Sequence, residues 1–265
     1  MTAEPARDAI GTYELPNGVR VSCADETEAR ILWAEIDGDT PYAEAIAGVG
    51  ADEVVLDVGA HIGLASLCFT ERAPASRIIA FEPAAATFSC LERNFAEHVP
   101  NGTALKLAVA AKNGEQEFVY HPYVSSKSTL HTDETDEDLN LEAYLDNAGF
   151  DEQARPLVRE MHNVRTIETV EVVTLSSVLD EHRIERVGLL KIDVERAELE
   201  VLEGLREDLW PRIRRVLAEV HDREGRLGAV VAKLAGHGYD VRVRQAPAFA
   251  GGSVYIVLAT RDQDS

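Results

Sequence analysis

Residues 53–63 read EVVLDVGAHIG, and this stretch decides the fold that the sequence predicts. Its first half is a β-branched, apolar run ending in Asp57, which is typical of a strand buried in a sheet. Gly59 and Gly63 follow in a tight turn, and the next residues, LASLCFTERA, continue as a helix. Glycines at such a turn let the backbone approach a ligand, and the helix N-terminus offers free N–H donors. The pattern therefore predicts a site for a nucleoside-bearing cofactor, although a tight turn without a ligand has the same pattern.

An acidic residue ends the next buried strand, RIIAFEP, at residues 77–83. Glu82 lies about 20 residues beyond Gly63, where an acid can accept hydrogen bonds from both ribose hydroxyls of a bound nucleoside. This acid and the glycine turn together favour a cofactor site over a purely structural turn. The predicted cofactor-binding residues are Asp57, Gly59, His61, Gly63, Glu82 and Pro83.

The spacing within the loop distinguishes between cofactors. Dinucleotide sites use G-x-G-x-x-G, in which three glycines bring a pyrophosphate onto a helix end. Here the loop reads D-x-G-x-H-x-G, and a carboxylate at Asp57 would attract the cationic sulfonium and ammonium groups of S-adenosylmethionine but not a pyrophosphate. We therefore expect S-adenosylmethionine as cofactor. The alternatives are an NAD(P)-dependent Rossmann oxidoreductase and a non-catalytic nucleoside-binding partner protein.

Outward from this loop, buried strands alternate with helices to the end of the chain. Apolar strands such as ALKLAVAA, RRVLAEVH and SVYIVLAT are separated by helical stretches, which predicts an α/β fold with a doubly wound, mostly parallel sheet. Residues 1–50 are expected to form an N-terminal cap. In that cap, Asn17-Gly18 predicts a hairpin over 12–23, and residues 26–36 and 41–49 have helical patterns.

The catalytic domain is predicted over residues 51–265, with an insertion at residues 125–171. This insertion is polar and acidic, with HTDETDEDLNLEAY near its centre, and it is too long for a simple connection. One interpretation is a solvated helical insertion, and the other is a lid or acceptor-binding element. The two interpretations do not exclude each other.

Polar residues also end two of the later strands. LLKIDVE places Lys191, Asp193 and Glu195 on one side of a strand end, and LAEVH ends with Glu219 and His221. Because ligands bind at the carboxyl edge of such sheets, we expect Asp193, Glu219 and His221 to form a catalytic acceptor site. These three would suit a divalent metal such as Mg²⁺, which lowers the pKa of a bound hydroxyl. Without a metal, His221 or Asp193 would act as general base, and a third possibility is that the acids only cap the following helices.

The charge of the chain restricts its partners. The 265 residues carry a formal net charge of −21, with a pI near 4.7. Such a field repels phosphate backbones and anionic headgroups, so we expect a small-molecule acceptor, no nucleic acid and no membrane, and leave a homo-oligomer open. The three cysteines have no paired spacing, and residues 1–15 lack a signal-peptide pattern, so we expect reduced thiols and a cytoplasmic location.

The sequence resembles the FkbM family of methyltransferases. The matching stretches, in the family's order, are VLDVGAHIG (55–63), AFEP (80–83), FSCLERN (88–94), AVAAKNGEQEF (108–118), TLSSVLDE (174–181), LLKIDVERAELEVLEGL (189–205) and LAEVH (217–221). The resemblance implies a class I methyltransferase fold with a Rossmann-like, seven-stranded sheet. It also implies S-adenosylmethionine as cofactor and O-methylation of a hydroxyl on a sugar or natural-product intermediate. The chain departs from the family pattern at Arg196, where Gly usually follows KIDVE, and in the acidic 131–160 segment, which is longer than typical.

Overall fold

The computed structural model describes residues 10–261, so the first nine residues of the predicted cap and the last four of the predicted domain lie outside it. The strands are β1 (Gly11–Glu14), β2 (Arg20–Cys23), β3 (Val54–Val58), β4 (Arg77–Phe81), β5 (Gly102–Leu105), β6 (Ala108–Val109), β7 (Gly114–Tyr120), β8 (Thr166–Val173), β9 (Val187–Ile192), β10 (Arg215–His221), β11 (Asp240–Gln245) and β12 (Val254–Thr260). The helices are α1 (Glu26–Ile36), α2 (Pro41–Ile46), α3 (Leu64–Arg72), α4 (Ala85–His98), α5 (Glu134–Asn147), α6 (Arg155–Asn163), α7 (Leu175–Glu181), α8 (Glu198–Glu203) and α9 (Arg226–Gly236). Between residues 10 and 261, no helix is long and apolar enough to cross a bilayer.

Seven strands form the central sheet, in the order β11-β12-β10-β9-β3-β4-β5. β10, β9, β3, β4 and β5 are parallel, and β12 is antiparallel to both β10 and β11. Residues 55–58 of β3 are buried, since helices cover both faces of the sheet. The predicted fold, an α/β protein with a mostly parallel, doubly wound, seven-stranded sheet, is confirmed.

The order of the strands places the glycine turn at the centre of the sheet. β3 lies between β4 and β9, and Val58 is in register with the last residues of both neighbours. The chain therefore leaves three adjacent strands at the same edge, at Gly59, Glu82 and Asp193. In doubly wound sheets, the crevice at such a point is where ligands bind.

The N-terminal cap is fastened to the helix that follows β4. The predicted hairpin is present as β1 and β2, and the two predicted helices are α1 and α2. Asn94 of α4 is buried; its side chain accepts a bond from the Ser22 amide at 2.7 Å and donates to the Ser22 carbonyl at 2.9 Å. The same amide group donates to the Ile62 carbonyl at 2.8 Å, so one side chain connects the cap to the glycine turn.

Three expectations for the strands need correction. The predicted strand ALKLAVAA is divided, because the chain turns at Leu107 and passes from β5 in the central sheet to β6 in a second sheet of order β6-β8-β7. The end of the predicted insertion is not helical but forms β8, which pairs antiparallel with β7. β11 was not predicted; its DVRVRQ sequence alternates apolar and polar residues, as an edge strand with one exposed face does.

The glycine at the start of the turn is required by the neighbouring strand. Gly59 has a φ of +76°, and a Cβ at this position would overlap the carbonyl oxygen of Asp193. We expect Gly59→Ala to lower the free energy of unfolding by about 3 kcal/mol or more, as measured by urea denaturation, since β3 and the chain after β9 would have to separate.

A matched control is Gly225→Ala, because Gly225 has a similar φ of +82° but nothing within 4 Å of a Cβ. Its expected cost is about 1 kcal/mol, that of the left-handed backbone alone. Equal losses in the two variants would contradict the argument from close approach.

Candidate active site

A cavity of about 460 Å³ lies at the carboxyl edge of the central sheet. Its walls are the glycine turn, the ends of β4, β9 and β10, helix α1 of the cap, and helices α5 and α6 of the insertion. Most of the predicted site residues therefore meet in one space, and those that line it are Gly59, His61, Glu82, Pro83, Asp193, Glu219 and His221. The predicted cofactor residues Asp57 and Gly63 do not line the cavity. Gly63 instead starts α3 with a φ of +91°, packed against Leu91 of α4.

Glu82 holds the glycine turn in place. Its carboxylate accepts bonds from the His61 amide at 3.0 Å, the Ala84 amide at 3.0 Å and the Thr87 hydroxyl at 2.7 Å. Burial raises the pKa of Glu82 to about 7, and these bonds offset only part of that effect. A carboxylate has about four acceptor positions, so one is left for a ligand in the cavity.

The carboxylate of Asp57 faces Lys191 and not the cavity. Asp57 is fully buried; its oxygens lie 3.1 Å from Lys191 Nζ and 2.7 Å from the Ser66 hydroxyl that donates to it. Lys191 Nζ also donates to the Gly59 carbonyl at 2.6 Å and lies 3.4 Å from Asp193. Burial would lower the pKa of Lys191, but Asp57 and Asp193 outweigh it, so the pKa is raised and the ammonium stays charged. The geometry thus gives Asp57 a supporting position behind the turn, where Lys191 pairs with both Asp57 and Asp193.

Three carboxylates converge at the ends of β9 and β10. One carboxylate oxygen from each of three residues lies within 4.8 Å of the other two, and these residues are Asp193, Glu195 and Glu219. The metal set predicted from the sequence contained His221 in place of Glu195. The structure corrects that set, because Glu195 and not His221 is grouped with Asp193 and Glu219 at metal-ligand spacing.

His221 is held between two glutamates. Its Nε2 lies 3.2 Å from Glu195 and its Nδ1 lies 3.6 Å from Glu198. Burial by itself would lower the pKa of His221, but the two glutamates outweigh it and raise the pKa well above the usual range. Conversely, burial would raise the pKa of Glu195, but His221 lowers it to about 2. Because Glu195 occupies Nε2 of His221, the structure favours a positioning role for His221 over that of a metal ligand or a general base.

Sequence reasoning missed the two acidic residues of helix α1 that line the cavity. Glu28 and Glu35 lie on the same face of α1 as Leu32, a helical spacing that marks one face of the helix. Burial, and then the nearby Asp193, raise the pKa of Glu35 to about 7. The sequence signal was this acidic stripe on an amphipathic helix, but only the fold shows that it faces the carboxylates. Trp33, on the opposite side of α1, is buried in the core.

A second set of bonds joins the cap, the glycine turn and the start of the insertion. The Ser125 hydroxyl donates to Glu28 at 2.6 Å, and the Ser126 amide donates to the same carboxylate at 2.9 Å. His61 Nε2 lies 2.7 Å from the Ser125 oxygen. Since the single hydroxyl proton goes to Glu28, His61 Nε2 is the donor in this bond. Burial lowers the pKa of His61, in agreement with a neutral ring.

Arg196 connects the catalytic edge to the insertion. It follows Glu195, both residues have positive φ values of +79° and +53°, and the Arg196 side chain is 4% exposed. Its guanidinium lies 3.3 Å from Asp136 and 3.6 Å from Glu137, both on α5, and donates to the His131 carbonyl at 2.8 Å. The residue that departs from the family pattern therefore binds the acidic segment that also departs from it.

Known proteins resemble this chain over most of its length. Residues 57–241 match the family described as "Methyltransferase FkbM domain". The protein "31-O-demethyl-FK506 methyltransferase FkbM" of Streptomyces tacrolimicus is 37% identical over 255 residues, which are 96% of this chain and 98% of the relative. "Methyltransferase sdnD" of Sordaria araneosa is 32% identical over 246 residues, which are 87% and 90% of the two chains. The crystal structure of methyltransferase FkbM from Methylobacillus flagellatus KT shares the fold, with a TM-score of 0.52 and 13% identity over 85% of this chain and 49% of that chain.

The pair of His221 and Glu195 predicts a pH window of stability. The pKa of His221 is raised above the ordinary 6.5, so its contribution is complete below pH 6.5 and is lost as the pH rises through the raised pKa. The pKa of Glu195 is lowered from 4.5 to about 2, so its contribution is complete above pH 4.5 and is lost as the pH falls through about 2. The free energies of unfolding of the wild type and His221→Gln should therefore differ most between pH 4.5 and 6.5, as measured by urea denaturation.

The control repeats the His221 substitution in a Glu195→Gln background, where most of this pH dependence should disappear. A difference that is constant from about pH 3 to about pH 8 would contradict the ion pair.

The buried pair of Arg196 and Asp136 should be strongly coupled. Arg196→Met leaves Asp136, which is fully buried, without its guanidinium, so we expect a loss of about 3–5 kcal/mol in the free energy of unfolding. In a double-mutant cycle with Asp136→Asn, the coupling should exceed about 1 kcal/mol.

The comparison pair is Arg165 and Glu134, which lie 3.2 Å apart in the same insertion but are 45% and 79% exposed. Their coupling should stay below about 1 kcal/mol. Equal coupling energies in the two double-mutant cycles would contradict the expectation that burial strengthens the pair of Arg196 and Asp136.

Proposed function

The chain belongs to the FkbM methyltransferase family, and from that premise we propose that it transfers a methyl group from S-adenosylmethionine to a hydroxyl of a small-molecule acceptor. The observation that supports this proposal most directly is that one cavity joins the glycine turn and Glu82 to the carboxylates Asp193 and Glu219. Cofactor-binding groups and acid–base groups thus share one enclosed space, as group transfer between two bound molecules requires.

The residues present fit the proposed cofactor. Glu82 has an acceptor position for a ribose hydroxyl. Gly59 has no Cβ, so the turn can lie close to Asp193. Beside Glu82, the cavity has an apolar surface against which the adenine of the cofactor would pack, formed by Phe81, Leu107 and Val109. When bound, S-adenosylmethionine supplies a methyl group already activated by a positively charged sulfur. The carboxylates of the cavity suit a ligand with that charge.

Asp193 and Glu219 have different neighbours, which supports different roles for them. Burial raises the pKa of both carboxyl groups, and the neighbouring Asp193 raises that of Glu219 further. Lys191 Nζ lies 3.4 Å from Asp193 and favours its ionised form. One base beside one orienting acid is the usual arrangement of two such carboxyl groups. We assign proton acceptance to Asp193 and orientation of the acceptor to Glu219.

In this reaction the acceptor oxygen would bond to the methyl carbon as the carbon–sulfur bond broke, with the electron pair left on the sulfur of S-adenosylhomocysteine. Asp193 would accept the hydroxyl proton. The chain contributes alignment, exclusion of water and a base, because the methyl donor needs no further activation.

The oxidoreductase alternative has little support in the cavity. The chain contains one Tyr-x-x-x-Lys spacing, at Tyr123 and Lys127, as a hydride-transfer site would need. Lys127 Nζ is, however, occupied by Glu137 at 3.1 Å and by the His162 carbonyl at 3.1 Å.

The proposed partners are a small-molecule acceptor and the cofactor, not nucleic acid or membrane, in line with the net charge of −21.

Asp193→Asn should separate catalysis from binding. We expect the rate of methyl transfer to fall by about 10²- to 10⁴-fold, because the general base is lost. The affinity for S-adenosylhomocysteine, measured by calorimetry, should change by less than about threefold. The acceptor for the assay is chosen from a panel of hydroxylated small molecules. The panel includes 31-O-demethyl-FK506, the compound that appears in the name of the 37% identical relative.

The control is Asp240→Asn, an exposed acid of β11 outside the cavity, which should keep the wild-type rate. A second arm removes divalent metals with EDTA, and activity should survive, because Lys191 already offsets Asp193. Activity that is lost with EDTA and restored by Mg²⁺ would assign the carboxylates to a metal. Methylation of nitrogen or carbon but never of oxygen would contradict the proposed acceptor.

A further inference from the structure

One part of the cavity wall is apolar, although the insertion that contributes to it is acidic on its outside. It consists of two side chains from α5, two from α6, and one phenylalanine each from the segments 148–154 and 246–253. We call these six residues the acceptor wall: Leu141, Tyr144, Phe150, Val158, Met161 and Phe249. Polar side chains of the insertion line the cavity beside it, among them Lys127, Glu137, Asn140 and His162.

Three aromatic rings meet in the acceptor wall. The ring of Tyr144 lies 5.8 Å from that of Phe150 and 5.9 Å from that of Phe249, between ring centroids. All three side chains are only partly buried, so part of their apolar surface remains open to the cavity. Uncovered aromatic surface in an enclosed site is stabilised by an apolar ligand.

The acceptor wall adjoins the reacting carboxylates. Tyr144 of the wall lines the same cavity as Glu35 and Asp193. A molecule whose hydroxyl reaches Asp193 can therefore place its remaining body against the wall.

Three of the polar side chains near the wall are already bonded to the protein. Lys127 pairs with Glu137 at 3.1 Å, and the side-chain amide of Asn140 donates to the Ser253 hydroxyl at 3.0 Å. A ligand with many hydroxyls would lose its bonds to water on this side and find few partners in return.

From these observations we propose that the acceptor is an alcohol with an apolar aliphatic or aromatic body, and not a polyhydroxylated sugar. This inference rests on the methyl transfer proposed above and specifies the acceptor of the same site. Tyr144 and Phe249 are its specificity-determining residues.

The test compares two cyclic secondary alcohols, 4-phenylcyclohexanol and myo-inositol, that differ in what surrounds the hydroxyl. Each is titrated calorimetrically into protein saturated with S-adenosylhomocysteine and, separately, into protein without it. We expect 4-phenylcyclohexanol to bind at least about tenfold more tightly than myo-inositol, because the phenyl group buries apolar surface against the wall.

Two variants locate the binding. Tyr144→Ala and Phe249→Ala should each weaken binding of 4-phenylcyclohexanol about tenfold and leave the affinity for S-adenosylhomocysteine unchanged. Ile167→Ala is the matched control, since Ile167 is 66% exposed on β8 and does not line the cavity. Thermal unfolding of each variant verifies that it is folded, and two independent positions keep the test valid if one variant is unstable.

The outcomes separate the two proposals. Preference for myo-inositol, or equal affinity of 4-phenylcyclohexanol for wild type and both variants, overturns the apolar acceptor and leaves the methyl transfer standing. Failure of S-adenosylhomocysteine to bind overturns the methyl transfer, while the titrations without it still decide whether the wall selects an apolar alcohol.

Discussion

A buried ammonium group, Nζ of Lys191, holds together the strand ends on which the site depends. It lies 3.1 Å from Asp57 at the end of β3 and 3.4 Å from Asp193 beyond β9, and it donates to the carbonyl of Gly59 in the turn. The carboxylates of Asp57 and Asp193 would repel each other here, and an unpaired lysine at this depth would lose its proton. Together the three groups satisfy one another, and the glycine turn and the reacting carboxylate are fixed in the same place.

The remainder of the site comes from segments that the chain brings back from a distance. Asn94 connects the cap to the turn, and Glu28 of the cap bonds with Ser125 at the start of the insertion. Arg196 binds α5 through Asp136, which also accepts a bond from Ser253 before β12. Each connection is a buried polar contact, for which misplacement leaves unsatisfied groups, so cap and insertion are located with precision over the cavity. With the insertion placed in this way, the apolar residues that it contributes to the acceptor wall line the cavity, while most of its acidic residues lie on the outside.

Local patterns in the sequence predicted the elements whose causes are local. The run before Asp57, the Asn17-Gly18 turn and the apolar strands around KIDVE carry their own periodicity and turn chemistry, and their structures agree with the predictions. The strand β8 was missed, since its partner β7 lies about 50 residues earlier and its own residues alternate with polar ones inside a polar segment. The sequence predicts His221 as a base or a metal ligand, whereas its pairing with Glu195 and Glu198 depends on how a turn beyond β9 folds back.

What the sequence determined by itself was the order of strands and helices, the glycine turn and the set of carboxylates at the strand ends, because these depend on short-range periodicity and backbone conformation. Only the tertiary structure decided which of those carboxylates are ionised and which side chains close the cavity. Charge state depends on burial and on neighbours from distant segments, as the raised pKa of Glu35 near 7 and the lowered pKa of Glu195 near 2 show. Glu35 and Glu195 have the same side chain, but their carboxyl groups have different pKa values once the chain is folded.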